Sequence, residues 1–198
     1  FGIKNILMNC GQKEIHLGKS GNLKLHDYFN GFFKGKTIFV TGHTGFQGSW
    51  LSLWLSLLGS NVIGYSLPPP TTPSLFHTLK LKNSLIDITG NINNLDLLKN
   101  KLNEHKPDIV FHFAAQSIVK QSLIDPLETF QTNILGTANI LEAVRNTDSI
   151  KECILMTSDK CYERNNENQA YSESDPLGGN DPYSASKGAS EIIINSYK

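Results

Sequence analysis

The chain has 198 residues, 39% of them hydrophobic and 18% charged, which is the make-up of a soluble globular protein with apolar side chains enough for one core. Its 18 basic and 18 acidic side chains cancel, so no overall field draws it to nucleic acid or to an anionic membrane. The longest apolar run, WLSLWLSLL at 50–58, holds two serines and is far too short to span a bilayer.

Residues 1–31 are polar and aperiodic and read as a leader with no determined element. From 32 onward the pattern becomes regular. KTIFV (36–40) is a short β-rich run, followed by a glycine-rich turn and a helical stretch from Gly48 to Leu58. NVIGYSL (61–67) reads as a second strand, closed by PPPTTP, which neither a helix nor a central strand can contain. SLIDI (84–88) is a third strand and NNLDLLKNKLNEH (93–105) an amphipathic helix. DIVFHFAA (108–115) is a fourth strand, Pro126 to Arg145 a long helix, ECILMTS (152–158) a fifth strand and 184–197 a last helix. Strands alternating with helices predict an α/β fold: a Rossmann-like, doubly wound parallel sheet covered on both faces, with strands apolar on both sides. Residues 32–198 then form one dinucleotide-binding domain.

The turn VTGHTGFQGSW sets Gly42, Gly45 and Gly48 three apart between the first strand and the first helix. Such a turn needs one glycine for the bend, one for close approach of a pyrophosphate, and one for helix–sheet packing, while the helix N-terminus supplies N–H donors. The acid that holds an adenosine ribose is expected about twenty residues on. Here Tyr65, Ser66, Leu67 and Pro68 stand instead, with no arginine for a 2′-phosphate; Ser66 is left as the ribose partner.

DPYSASKGAS places Tyr183 and Lys187 four apart at a helix start, hence on one face. A neighbouring ammonium favours the phenolate of such a tyrosine, which equips it to move a proton on and off a hydroxyl. Ser158 ends the fifth strand, where a second hydroxyl would meet the same substrate oxygen. Asp159 and Lys160 follow it directly.

Together the glycine turn, FHFAAQ, the strand-end serine and Tyr-x-x-x-Lys resemble the extended short-chain dehydrogenase/reductase superfamily. Within it, GKTIFVTGHTGFQGSWLSLWL, PPTTPSLF, TSDKCYE and DPLGGNDPYSASKGASE are similar to the CDP-glucose 4,6-dehydratases. The resemblance implies NAD as cofactor. It implies contacts from Gly42, Thr44, Gly45, Phe46 and Gly48, from Ser66, Asn91 and Ile92, and from Ala114, Ala115, Gln116, Asn133, Tyr183 and Lys187. It also implies a nucleotide sugar as substrate, most closely CDP-glucose, with Tyr183 and Lys187 oxidising carbon 4. Ser158 would bind the 4-oxygen, Asp159 would be the general acid at carbon 6 and Lys160 the base at carbon 5. Epimerases of this fold have small residues where Asp159 and Lys160 stand, so an epimerase, a reductase or a non-catalytic dinucleotide domain is the rival reading.

Against the family pattern, GNINN (90–94) replaces Gly-Asp-Ile-Arg-Asp, leaving the carbonyl of Asn91 for the adenine amino group, and ERNNENQA (163–170) lacks the family's tryptophan. The family continues far beyond Lys198 and the chain starts at Phe1, without a signal peptide, so it reads as an N-terminal portion of a cytoplasmic enzyme, a homo-oligomer when full length. No metal is expected: Cys10, Cys153 and Cys161 lack metal-ligand spacing and read as reduced thiols. His112 reads as a satisfied core histidine. Trp50 and Trp54, four apart on the first helix, read as packing residues.

Overall fold

The first apolar run is the middle strand of a parallel sheet, β1 (Thr37–Thr41), whose Ile38, Phe39 and Val40 are wholly buried. The computed structural model describes residues 25–163 and 170–198. In it β2 (Asn61–Ser66), β3 (Ile86–Thr89), β4 (Ile109–His112) and β5 (Glu152–Leu155) complete the sheet in the order β3-β2-β1-β4-β5. All pairings are parallel; Val40, for example, stands opposite Gly64 and Phe111. Strand order reverses between β1 and β4, so the loops leaving their carboxyl ends diverge and open a crevice there.

The helices are α1 (Phe46–Leu57), α2 (Leu75–Thr78), α3 (Leu95–His105), α4 (Val119–Ile124), α5 (Pro126–Phe130), α6 (Gly136–Arg145) and α7 (Pro182–Ser196). The period of two in β1 divides the core. Phe39 points to one face, where Leu98 and Leu102 of α3, Ile140 and Leu141 of α6, and Ile194 of α7 close over it. Ile38 and Val40 point to the other, under Leu55 and Leu51 of α1. Each fully buried leucine or isoleucine contributes about 1.5–3 kcal/mol of transfer free energy. Helix ends follow local chemistry: the Asn94 side chain caps α3 at the Leu97 amide (3.0 Å), and Lys106 ends it in the left-handed region.

Three expectations change. The helix from Pro126 to Arg145 is interrupted by a π-helical turn at Gln131–Leu135, and α4 precedes it. β3 is an edge strand, so it is not apolar-buried on both sides and Ile86 is 52% exposed. Trp50 and Trp54 do not pack inside; they are 46% and 61% exposed. The face of α1 against the sheet is instead Gly48, Ser49, Ser52 and Leu55. Small side chains bring this helix too close to β1 for an indole to fit. Of the stretch read as a leader, residues 1–24, including Cys10, lie outside the described residues, as do 164–169, and Leu25–Gly31 forms kinked 3-10 turns. No helix among the described residues is long and apolar enough to cross a membrane.

His112, at the end of β4, is a satisfied core histidine as expected. Thr41 Oγ1 accepts the amides of Phe113 and Ala114 (3.2 Å each), so its own proton goes to His112 Nδ1 at 2.8 Å. That places the ring proton on Nε2, toward Thr137 Oγ1 at 3.5 Å, while Thr137 donates to the Asn133 carbonyl at 2.6 Å. Burial, helped by the Lys187 ammonium, pushes the imidazole down to about 3. The folded chain therefore holds His112 neutral while the unfolded chain protonates it near 6.5. Stability is full above pH 6.5 and falls as pH drops toward 3, by up to about 1.4 kcal/mol per pH unit from this one group. The melting temperature should drop between pH 7 and pH 5, and less steeply in His112→Gln; equal slopes would exclude His112 as the source.

Candidate functional site

The glycine turn is built by contacts that only hydrogen at Cα permits. Gly42 has φ +74°, and a Cβ there would lie 2.7 Å from the backbone nitrogen of Ala114. A Cβ on Gly48 would fall on the Gly42 carbonyl. Gly45 is the N-cap of α1 and no side chain caps that helix, so its first-turn N–H groups face the crevice as anion-binding donors. Below the turn, His43 is wholly buried, with Nε2 2.9 Å from Asp87 Oδ1 on β3 and its ring edge-on to Phe76. Burial lowers the His43 pKa and Asp87 partly opposes this. Sequence reasoning passed over His43, because only the fold brings it to Asp87.

The crevice has a volume of about 1100 Å³. Gly42, Thr44, Gly45, Phe46 and Gly48 form its floor, with Ser66, Asn91 and Ile92 at one end and Ala114 and Ala115 in the middle. Met156, Thr157, Ser158 and Tyr183 stand at the other end. The proline-rich segment supplies an outer wall with Pro70, Pro73, Ser74 and Leu75, a role its composition alone did not signal. The lining carries no charged side chain among the described residues.

Ser66 is oriented by proton accounting. Thr44 Oγ1 donates to the Leu67 carbonyl at 2.9 Å, so in its 2.7 Å contact with Ser66 the serine is the donor. Ser66 thus offers only lone pairs to the crevice. Asn91 Oδ1 already accepts from the Asn93 amide at 2.9 Å and keeps one lone pair for another donor.

Three expected cofactor contacts, Gln116, Asn133 and Lys187, do not line the crevice. Asn133 is wholly enclosed: its Oδ1 accepts from the Gln116 amide (2.8 Å) and its Nδ2 donates to the Gln116 carbonyl and to Ser186 Oγ (2.9 Å each). The Gln116 side chain turns away to Thr129 Oγ1 and the Ile118 amide. Both residues hold the loop after β4 rather than line the site.

α7 presents Tyr183 and Lys187 together, both nearly buried, with Nζ 6.0 Å from the phenol ring centre. The ammonium donates to the Met156 carbonyl at 3.3 Å, which ties α7 to the segment after β5. Burial lowers the Lys187 pKa, opposed by Glu191. Ser158 caps the 3-10 turn Asp159–Cys161: it accepts the Lys160 amide at 3.2 Å and donates to Asp159 Oδ1 at 3.1 Å. Asp159 and Lys160 are exposed, just past the crevice mouth rather than in its lining. Burial pushes Asp181 up, but hydrogen bonds from Ser184, with the Lys160 charge, hold its carboxyl below the usual range. Burial pushes the Cys153 thiol to about 12 and that of Cys161 to about 11, which suits inert, buried sulfur.

Residues 39–198 match the family described as GDP-mannose 4,6 dehydratase. The chain is 47% identical over 167 residues to CDP-glucose 4,6-dehydratase of Salmonella typhimurium, covering 84% of this chain and 46% of that protein. It is 33% identical to dTDP-glucose 4,6-dehydratase of Xanthomonas campestris pv. campestris, covering 81% and 48%. Among solved structures, dTDP-glucose 4,6-dehydratase of Bacillus anthracis in complex with NAD superposes with a TM-score of 0.68 at 26% identity, covering 82% of this chain and 50% of that one. The chain thus spans about half the length of the relatives it matches. The family match spans most of the chain, and the chain belongs to the GDP-mannose 4,6 dehydratase family within the extended short-chain dehydrogenases/reductases.

Proposed function

We propose that the protein is a cytoplasmic, NAD-dependent hydro-lyase that converts CDP-glucose to CDP-4-keto-6-deoxyglucose for polysaccharide biosynthesis. The observation that carries this reading is the Asp159–Lys160 pair, set directly behind Ser158 at the mouth of a crevice that ends in Tyr183. The likeness to the Salmonella enzyme supports the choice of nucleotide. The crevice fits NAD: uncapped N–H groups of α1 suit a pyrophosphate, and the acceptor-only Ser66 suits a ribose hydroxyl.

When bound, NAD supplies the acceptor for hydride from carbon 4 and the donor that returns it to carbon 6. Tyr183 takes the proton of the 4-hydroxyl, and the Lys187 ammonium beside it stabilises the phenolate. The resulting ketone acidifies carbon 5, whose proton passes to Lys160 and is given back to carbon 5 when hydride reaches carbon 6. Asp159 gives a proton to the departing 6-hydroxyl, which leaves as water. Ser158 must transfer its hydrogen bond from Asp159 to the 4-oxygen, which frees the carboxyl at the moment it is needed. Ser158, Asp159 and Lys160 thus act at three adjacent sugar atoms.

Incubation of the full-length protein with CDP-, dTDP-, UDP- and GDP-glucose should give the alkali-induced absorbance of a 4-keto-6-deoxy sugar, strongest with CDP-glucose. Interconversion of epimers without that absorbance would establish the epimerase reading instead. We also propose a homo-oligomer, joined through the exposed Leu123, Ile124, Leu127 and Leu135 around α4 and α5. Sedimentation of a monomer that is unchanged by Leu127→Glu would refute it.

A further inference from the structure

We propose that Ser122 is a positioning residue for Tyr183: this wholly buried serine holds the tyrosine by its own main-chain amide. The proposal rests on the dehydratase reading only for its kinetic consequence.

The first turn of a helix has N–H groups with no partner inside the helix. In α7 nearly all of them are accounted for without help from another element. Pro182 has no N–H. The Asp181 carboxylate accepts the Ser184 amide at 2.9 Å and the Ser184 hydroxyl at 2.7 Å, and the Ala185 amide makes the first helical bond to the Asp181 carbonyl at 2.9 Å. Tyr183 N–H is what remains. It points at Ser122 Oγ, 3.2 Å away and 61 residues earlier in the chain. The Asp181 carboxylate lies close enough to feel this amide, but hydrogen-bond geometry is met with Ser122. Ser122 gives its own proton to the Val119 carbonyl at 2.7 Å, which aims its lone pairs at α7. No part of the serine is exposed, so water cannot take its place.

The bond closes a circuit. From Ser122 it runs back along α4 to the Ile118 amide, which donates to Gln116 Oε1 at 2.6 Å. The Gln116 amide donates to Asn133 Oδ1, Asn133 Nδ2 donates to Ser186 Oγ, and Ser186 donates to the Tyr183 carbonyl at 2.6 Å. The path leaves Tyr183 through its N–H and returns through its C=O. Tyr183 is therefore fixed against the same loop that carries Ala114 and Ala115 along the crevice. With Ser122 gone the circuit opens, and the amide can swing toward Asp181.

The test uses the full-length protein with Ser122→Ala, and Ser190→Ala as the control. Ser190 is buried on the same helix and donates to the Asn133 and Ser186 carbonyls, but does not touch Tyr183. Hydrogen exchange at the Tyr183 amide should quicken at least tenfold in Ser122→Ala and stay unchanged in Ser190→Ala. Single-turnover reduction of the nicotinamide by CDP-glucose should slow by roughly ten- to a hundredfold in Ser122→Ala, with dinucleotide affinity within about twofold of wild type. Ser122→Cys, a weaker acceptor of similar size, should fall between, and serves if the alanine variant does not fold. Unchanged exchange at Tyr183, or an equal rate loss in Ser190→Ala, would overturn the proposal. If the wild-type protein reduces no nicotinamide with any nucleotide sugar, the dehydratase reading fails, while the exchange result still decides the role of Ser122.

Discussion

Asp159→Asn in the full-length enzyme should stop turnover after carbon 4 has been oxidised, whereas Tyr183→Phe should stop it before. The asparagine keeps the shape of the carboxyl and can still accept from Ser158, but it has no proton to give to a departing hydroxyl. General acid catalysis is worth about a hundredfold to ten-thousandfold, and elimination should slow by that order. Reduced nicotinamide should then build up in a single turnover and be visible by its absorbance. Tyr183→Phe removes the group that accepts the 4-hydroxyl proton, so that absorbance should be absent. The two sites are separable because they sit on different elements: Tyr183 in the lining on α7, Asp159 on the exposed turn after β5. Equal loss of the absorbance in both variants would mean that Asp159 only shapes the turn, and the dehydratase reading would lose its most specific support.

Gly48→Ala should be among the most damaging single-methyl changes at the described residues. The new Cβ would fall on the Gly42 carbonyl oxygen and lie 2.7 Å from its carbon and 2.9 Å from His43 Cα. All are backbone atoms and none can rotate away. Either α1 lifts off the sheet or the turn opens, at a cost of about 1–3 kcal/mol or more. The variant should be insoluble, or fold with dinucleotide affinity reduced by about a hundredfold or more, the scale a misplacement near 1 Å can reach. Gly45→Ala is the contrast. Its φ is −74° and its added Cβ would meet only the Gly42 oxygen, at 3.3 Å. It should fold and lose far less affinity. A fluorescence titration of both with NAD, beside their melting curves, decides the matter; wild-type affinity in Gly48→Ala would refute the packing argument.

The parts legible in the sequence are those whose information is local. Buried strands show as apolar runs, and the glycine turn and the Tyr183–Lys187 pair show as spacings within one element. What was misread depends on contacts across the chain. Only the fold shows that the Asn133 side chain is spent on the Gln116 main chain and Ser186, and the Gln116 side chain on Thr129 and the Ile118 amide. Trp50 and Trp54, four apart on the first helix, read as packing residues, yet the face of α1 against the sheet is Gly48, Ser49, Ser52 and Leu55. α4 was missed because six residues are too few to show a helical period. The turn Gln131–Leu135 reads as ordinary helix, since nothing in QTNIL distinguishes a π from an α hydrogen bond.

That wide turn has a consequence of angular arithmetic. Along an α-helix of 3.6 residues per turn, every fourth side chain overshoots a full rotation by about 40°, so three such positions spread over about 80°. Thr129, Asn133 and Thr137 are spaced in this way, yet all three are buried and meet Gln116, Ser186 and His112 along one seam. A π turn holds more residues per rotation and takes back the overshoot just where Asn133 sits. The helix thereby keeps a straight polar file against two different neighbours, the loop after β4 on one side and α7 on the other. Deleting one residue from Gln131–Leu135 would restore regular winding and leave Thr129 and Thr137 seven residues apart, within about 20° of the same direction. Thr129 would still face Gln116, so the wide turn stores one extra residue of chain without turning either end of the helix out of the seam.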